Sequence, residues 1–420
     1  MNWAPYARYR AVDTTWLGQV PDHWETRNPK SLFRLRREPA HADDRQLTAS
    51  QSDGVVYQDE YMENRGTRVV QVIEGQAGLK HVAAGDFVIS LRSFQGGIEY
   101  SAAAGKISPA YTILQPLFEA DHRYFAHLLK SDGFIQELRS TSNQLRDGQS
   151  LGIEHFAQVR VPLPPKSEQR AIGGFLDRET AKIDALIDKQ EQLIATLRED
   201  RAATIHNAVT TNHVDPSSQA LQLKRISRIL DCKHLTAEFT DDGIPLASIR
   251  EVQGRYVNLD SAKRTTEHFF HLLTSGDRRP QQGDLIFSRN ATVGQVAEVQ
   301  NTHEPFAMGQ DVCLIRPNRS LVRAGFLWYS LRSDSVLRQL ELMMIGSTFK
   351  RINVEEVKNI IIDVPSLKEQ DSARRFLDER VSKIDALIDK STGMIETLRE
   401  YRSALITNAV TGKIDVREAV

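Results

Sequence analysis

KIDALIDK stands at residues 182–189 and again at residues 383–390. The identity spreads outward without a gap from 164–210 to 365–411, each position recurring 201 residues on, with about 26 of 47 residues the same. Glu168-Gln169 returns as Glu369-Gln370, Phe175-Leu176-Asp177 as Phe376-Leu377-Asp378, and NAVT at 207–210 as NAVT at 408–411. A match of this length is an internal duplication. Ile183, Leu186, Ile187, Leu193, Ile194 and Leu197 recur as Ile384, Leu387, Ile388, Met394, Ile395 and Leu398. Steps of three and four place these on one face of a helix, with acids and bases alternating on the other. From Thr180 to Asn207 the pattern runs about 28 residues, or roughly 40 Å. A long helix with one apolar face needs a partner, and each copy offers the other as an antiparallel two-stranded coiled coil. The residues expected to pair are Ile183, Leu186, Ile187, Ile194 and Leu197 with Ile384, Leu387, Ile388, Ile395 and Leu398.

The starts of the two helices differ. Ser366 and Glu369 have the spacing of a capping box, whereas the first copy has Pro165 at the cap and a weaker start. Gly173-Gly174, replaced by Arg374-Arg375, predicts a bend before the longer helix of the first copy.

Ahead of each helix the chain repeats an order of elements more than a sequence. Short strand-like runs such as GVVY at 54–57, DFVIS at 86–90 and AYTIL at 110–114 are separated by Gly, Asp and Asn, which describes a compact β-rich domain. Gly85-Asp86 and its strand are mirrored by Gly283-Asp284, the helical stretch at 123–138 by 326–340, and the closing strand before Pro165 by the one before Pro365. The residues between barely match. Two copies share a scaffold and differ in loops, and loops carry function where scaffolds carry packing. The expected fold class is α+β, with two β-rich domains joined by two long antiparallel helices in a pseudo-twofold duplication. The boundaries fall at 1–165, 166–212, 213–365 and 366–420, with the polar linker at 211–219 between the halves.

The net charge of −1 leaves no basic domain, so charge alone gives no footprint for nucleic acid. The two cysteines, Cys232 and Cys313, lack metal-ligand spacing and read as free thiols. No apolar run reaches the roughly 18 residues of a membrane span and the start lacks a signal-peptide core, so a soluble cytoplasmic protein is expected. Phosphate-binding loops, nucleophile elbows, zinc-protease helices and the Asn/Asp-Pro-Pro-Tyr/Phe motif of adenine methyltransferases are missing, and His268 and His271 flank Phe269-Phe270 as packing or surface residues. No catalytic residue and no metal ligand is assigned. Recognition remains. A spacer near 40 Å is close to one turn of duplex DNA, about 34–36 Å, the separation at which dimeric readers place two modules.

Several of these stretches resemble the specificity subunits of type I restriction–modification systems. They are the Trp16-Leu17-Gly18 opening that leads to Pro21 and Trp24, the Glu-Gln helix starts, the KIDALIDK cores and LITNAVTGKIDV at 405–416. The resemblance covers essentially the whole chain, with the duplicated helices its most specific part. It implies that each variable domain is a target recognition domain reading one half of a split DNA sequence, while the paired helices set the unread gap. It further implies assembly with two modification subunits, which bind S-adenosylmethionine and methylate adenine. Two restriction subunits, which use ATP and Mg, can join them. This chain itself would bind no cofactor.

The residues singled out for DNA contact follow the Gly-Asp strands or precede the closing strands: Arg92, Ser93, Gln95, Gln144, Arg146 and Gln149 in the first domain, and Arg289, Asn290, Thr292, Thr348, Lys350 and Arg351 in the second. Arg can bond guanine, and Asn or Gln adenine, through paired hydrogen bonds to base edges. Glu168 and Glu369 are assigned to packing and helix capping. The reading from a different class is a scaffold whose helices recruit protein partners. A scaffold would present aromatic and aliphatic anchors where a DNA reader presents Arg, Asn and Gln.

Overall fold

The computed structural model describes residues 3–50, 53–66, 78–89, 98–117, 121–141, 153–210, 218–344 and 351–417. The chain forms two compact units, one of Met1–Gln190 with Gly393–Val420 and the other of Glu191–Thr392. Each unit takes in part of both repeated helices. No helix among the described residues is long and apolar enough to cross a membrane.

The strands of the first unit include β1 (Phe33–Leu35), β2 (Lys80–Val82), β3 (Phe87–Ile89), β4 (Ile98–Tyr100), β5 (Gly105–Ile107) and β6 (Thr112–Pro116). β1, β6, β3 and β4 form an antiparallel sheet in that order, with Ile113 opposite Val88 and Leu114 opposite Phe87. Successive side chains leave a strand on opposite faces. Val88 and Ile113 therefore pack with Leu47, Val55, Val82 and Ile107 on one face. On the other, Phe33 meets Phe87 and Phe125 edge-on, both at 5.6 Å between ring centres. Two helices follow, α1 (His122–Leu129) and α2 (Asp132–Ser140), then the closing strand β7 (Val161–Leu163) and α3 (Lys166–Val209).

The second unit repeats the order. Its elements include β8 (Gln219–Gln222), β9 (Ser227–Asp231), β10 (Leu285–Ser288), β11 (Val296–Glu298), β12 (Val312–Pro317), α4 (Ala324–Leu331), α5 (Asp334–Met343), β13 (Ile361–Val364) and α6 (Leu367–Val410). Its sheet runs β9-β12-β10-β11, the same order and the same antiparallel sense as β1-β6-β3-β4. Leu285 and Phe287 face a core with Phe326, Leu327, Ile205, Val209, Leu377 and Val381, whereas Ile286 faces Met308 and Val299.

The repeated Gly-Asp pair has a structural role. Asp86 accepts from Arg36 Nε at 2.6 Å and from Ala83 N at 2.8 Å; Asp284 accepts from Arg316 Nη2 and from Gln281 N, both at 2.8 Å. Each buried carboxylate closes the turn before its strand and is neutralised by one arginine, as buried charges require.

Both long helices are 44 residues, and α3 begins well before Gly173 with no break there. The glycine at 173 has a steric reason: a methyl there would stand 2.8 Å from Arg123 Cβ and 3.0 Å from Tyr124 N, at the start of α1. Glycine allows that approach. Gln169 and Gln370 tie the helix starts to their domains identically. Gln169 donates to Pro164 O and accepts from Asp121 N; Gln370 donates to Pro365 O and accepts from Arg323 N. Ser366 and Glu369 form the capping box. Glu168 does something else: buried, it accepts from Trp24 Nε1 at 2.8 Å and Tyr6 Oη at 3.1 Å and meets His23 Nε2 at 2.7 Å. With Pro165 in the serine position, this glutamate anchors the tryptophan-containing opening instead of capping.

Within each unit the segments of α3 and α6 run antiparallel. In the first, Arg402 pairs with Asp184; in the second, Arg201 pairs with Asp385 and Arg380 with Asp200. Ile183, Ile187, Ile194, Ile384 and Ile395 are buried, and Leu197, Ile388 and Leu398 are half-buried. Leu186 and Leu387 depart from the expected seam. They are 48% and 50% exposed, because a pair of helices covers only a narrow stripe of each and these leucines lie on its outer edge.

Candidate nucleic-acid interface

In the second unit, β10 runs into the turn Arg289–Asn290–Ala291–Thr292, where Ala291 takes a left-handed conformation at φ 56°. Arg289 is not a surface reader. Its side chain is 4% exposed, and its guanidinium Nη2 donates to Asp231 Oδ1 at 2.6 Å and approaches Cys232 Sγ at 3.8 Å. Sequence position put this arginine at a loop, but the carboxylate at the end of β9 draws it under the sheet. Burial pushes the Cys232 thiol up, with Asp231 adding to the effect, so the cysteine stays a neutral packing residue.

The rest of the turn faces outward. Asn290 is half-buried and uses its carbonyl on Ala291 N at 2.9 Å, which leaves its amide hydrogens directed away from that contact. An antiparallel bridge between Asn290 and Arg351, with Ile352 N donating to Arg289 O at 2.9 Å, carries Arg351 to the same edge. The Arg351 side chain is 56% exposed and reaches within 3.9 Å of Asp311. Thr292 Oγ1 sits between Ser288 Oγ at 3.1 Å and Gln253 Nε2 at 3.2 Å. Thus three of the expected residues, Asn290, Thr292 and Arg351, come together although 59 positions separate the last two.

Three further polar side chains join that edge. Arg250 lies in the short 3-10 turn Ile249–Val252 and Gln253 follows it, and the turn is fixed by Ser248 N donating to the buried Glu251 carboxylate at 2.8 Å. Gln310 extends from the other side and donates to Thr236 Oγ1 at 3.4 Å. Beside them opens a cavity of about 540 Å³ between Leu235, Phe239, Leu246, Arg250, Lys263 and Gln310. The one signal in the sequence was the Ser248–Glu251 spacing, which marks a helical turn and says nothing of what the turn presents.

In the first unit, β3 corresponds to β10. Arg92, Ser93, Gln95, Gln144, Arg146 and Gln149 lie outside the described residues, as do Thr348 and Lys350 in the second unit. The edge built from Arg250, Gln253, Asn290, Thr292, Gln310 and Arg351 is an arrangement of amide, hydroxyl and guanidinium groups suited to reading hydrogen-bond patterns.

The long helices also expose apolar side chains within each unit. Leu186 and Leu193 on α3, and their counterparts Leu387 and Met394 on α6, are each 43–50% exposed. Equivalent apolar residues are thus presented twice.

A family model described as the type I restriction modification DNA specificity domain matches residues 251–396. The chain is similar to the specificity subunit of the type I restriction enzyme MjaVIII of Methanocaldococcus jannaschii, 22% identical over 293 residues that cover 63% of this chain and 66% of that one. It is similar to the EcoBI specificity subunit of Escherichia coli, 19% identical over 321 residues covering 70% and 65%. The matched part spans just under two thirds of each of these relatives. A putative MjaX specificity subunit of the same archaeon is 21% identical over 428 residues and 96% of both chains. Among solved structures, a chain from a study of complex assembly and conformational transition in a type I R-M system aligns with TM-score 0.75 over 94% of this chain and 99% of that one, at 15% identity. The HsdS subunit of Thermoanaerobacter tengcongensis aligns with TM-score 0.54 over 94% and 98%, also at 15% identity.

Proposed function

We infer that this chain is the DNA specificity subunit of a type I restriction–modification system, the family whose domain it carries. It supplies recognition and leaves the chemistry to its partners. Each β-rich domain reads one half of a split target, and the antiparallel helices set the length that goes unread. The observation that carries this reading is the polar edge of the second unit. There a repeated sheet presents unrepeated loop residues, Gln253, Asn290, Thr292 and Arg351, within reach of one another. Sequence is read by such groups at base edges, while phosphate contacts fix register and orientation. With a net charge of −1, this chain leaves much of the phosphate neutralisation to partner subunits.

The partners proposed are two modification subunits and, for restriction, two restriction subunits. Leu186 in the first unit and its counterpart Leu387 in the second offer equivalent exposed apolar side chains, one in each unit, as two copies of one partner require. S-adenosylmethionine would be held by the modification subunits, and ATP with Mg by the restriction subunits. The assembly would act on DNA in the cytoplasm.

Genome-wide mapping of adenine methylation in a host that expresses this chain with its modification subunit tests the proposal. The expected result is a single motif with two short specified parts and a fixed gap. Exchange of residues 213–365 for those of a relative should move one part and leave the other. Co-purification of the subunits without any methylated motif would overturn the reading in favour of a protein scaffold.

A further inference from the structure

The segment that follows β1 lies alongside β2. Ala40 N donates to Leu79 O at 3.0 Å and His81 N to Glu38 O at 2.9 Å, which sets the two stretches in register. The register brings His41 and His81 face to face, with ring centres 4.2 Å apart and planes inclined by 18°. Each imidazole is held by a carboxylate: His41 Nε2 lies 2.9 Å from Glu38 Oε1, and His81 Nδ1 lies 2.8 Å from Asp44 Oδ2. The same Asp44 oxygen accepts from His41 N at 2.8 Å. One candidate ligand atom each from Glu38, His41 and His81 falls within 4.8 Å of the others.

We propose that Glu38, His41 and His81 form a binding site for a zinc-class divalent metal ion, with Asp44 as the residue that orients His81.

The chemistry of each group fits. A carboxylate on Nδ1 fixes the tautomer of His81 with its proton on that nitrogen and leaves Nε2 as the donor, the arrangement common among metal-bound histidines. His81 and Asp44 are 11% and 10% exposed in their side chains, so this half of the site is rigid and pre-formed. Glu38 and His41, at 40% and 56%, lie at the surface and can rotate. Bringing three donors to about 2.0–2.2 Å from one ion needs only that outer pair to turn inward, and a fourth position stays open to water. Imidazole and carboxylate together suit zinc, nickel or cobalt better than calcium or magnesium.

The local charge also favours a cation. Glu38 and Asp86 flank one arginine, Arg36, which is bonded to both, and Asp44 adds a third carboxylate on His81. Lys80, beside His81 in sequence, turns its amine to Pro109 O and Tyr111 O instead. The ion would fasten the segment carrying Glu38 and His41 onto β2 at the edge of the first unit's core.

The full chain, expressed without a histidine tag, should be titrated with zinc in equilibrium dialysis and with cobalt(II) under visible absorption. One ion per chain, and a cobalt spectrum of nitrogen and oxygen ligands, are expected. His41→Ala, at an exposed position that leaves the fold intact, should weaken binding at least tenfold, and Asp44→Asn tenfold to a hundredfold. His81→Ala should abolish it, with circular dichroism as the check on folding. Three results would overturn the proposal: no stoichiometric binding, unchanged affinity in His41→Ala, or a thiolate-to-cobalt charge-transfer band. That band would place the ion at Asp231, Cys232 and His234 instead.

Discussion

Arg201 on α3 donates through Nε to Asp385 Oδ1 on α6 at 2.7 Å, and the duplication sends this pair to Arg402 and Asp184, which meet in the other unit at 2.8 Å. An arginine of each copy thus grips an aspartate of the other.

These pairs specify register more than they add stability. Their side chains are 24–49% exposed, so each should contribute about 0–1 kcal/mol. Double-mutant cycles by urea unfolding on Arg201→Ala with Asp385→Ala, and on Arg402→Ala with Asp184→Ala, should return equal couplings of about 0.5 kcal/mol. A coupling in one pair and none in the other would mean that the copies have diverged in how they pair.

The glycines at the start of α3 make a sharper test. In the second unit Arg374 stands where Gly173 does in the first, and Gly325 of α4 stands where Arg123 does in α1: one arginine and one glycine at each contact, exchanged. A methyl at 173 meets backbone and Cβ atoms at 2.8–3.0 Å, whereas at 325 it meets the flexible Arg374 side chain and Arg255 Nη2. Gly173→Ala should therefore cost about 1–3 kcal/mol of unfolding free energy, and Gly325→Ala clearly less. At Gly174 the nearest atom is a guanidinium nitrogen at 3.7 Å, so Gly174→Ala should stabilise by about 0.5–1 kcal/mol through helix propensity.

That contact also explains what a linear reading misses. The duplication, the stripe and the order of elements repeat locally, so the frame is legible from KIDALIDK outward. Gly173-Gly174 reads as a bend in the sequence, whereas what requires glycine at 173 is Arg123, packed against it from 50 residues upstream. Arg289 looks like a reader on a loop until Asp231, 58 residues earlier, is seen to hold it under the sheet. Leu186 and Leu387 satisfy the helical period, yet period alone does not say how wide the covered stripe is. Charge partners and stripe width depend on contacts distant in sequence.

The tie between α1 and α3 should respond to acid. His127 Nε2 lies 2.8 Å from Asp177 Oδ1, and this bond holds the aspartate below the usual carboxylate range despite some burial. A folded-state value below the unfolded one stabilises above the unfolded value of about 3.9 and fades as pH falls through the folded value. His127→Ala should cost under about 1 kcal/mol near neutrality, since the Asp177 side chain is 46% exposed. The difference from the unsubstituted chain should close in more acidic solution, read as unfolding midpoints across a pH series.

The stripe and its outer edge should separate stability from assembly. Ile183 and Ile384 are 5% and 2% exposed, and alanine at either should cost about 2–5 kcal/mol. Leu186→Asp and Leu387→Asp touch exposed positions and should leave the unfolding midpoint within about 0.5 kcal/mol. On the proposed function they should nonetheless reduce co-purification of the modification subunit. Retained partner binding with both leucines replaced would remove these patches from the assembly surface.

The polar edge yields the most direct prediction. Arg289 and Asn290 are neighbours with opposite fates, one buried on Asp231 and the other turned toward the edge. Arg289→Ala removes a charged hydrogen bond from the core and should cost about 1.5–3 kcal/mol in stability, with the target sequence unchanged in whatever protein still folds. Alanine at Asn290, Thr292, Gln253 or Arg351 should leave unfolding almost unaltered. Each that contacts a base should relax one specified position in a single half of the methylated motif, by about 1–3 kcal/mol of discrimination. A contact to phosphate would instead weaken binding to every sequence alike and lower its salt dependence. Methylome mapping of the four variants, with urea unfolding on the same preparations, distinguishes these outcomes. If none of the four changes the motif or the affinity, this edge is not the reading surface of the proposed function, and the cavity edge at Arg250 and Gln310 becomes the next place to substitute.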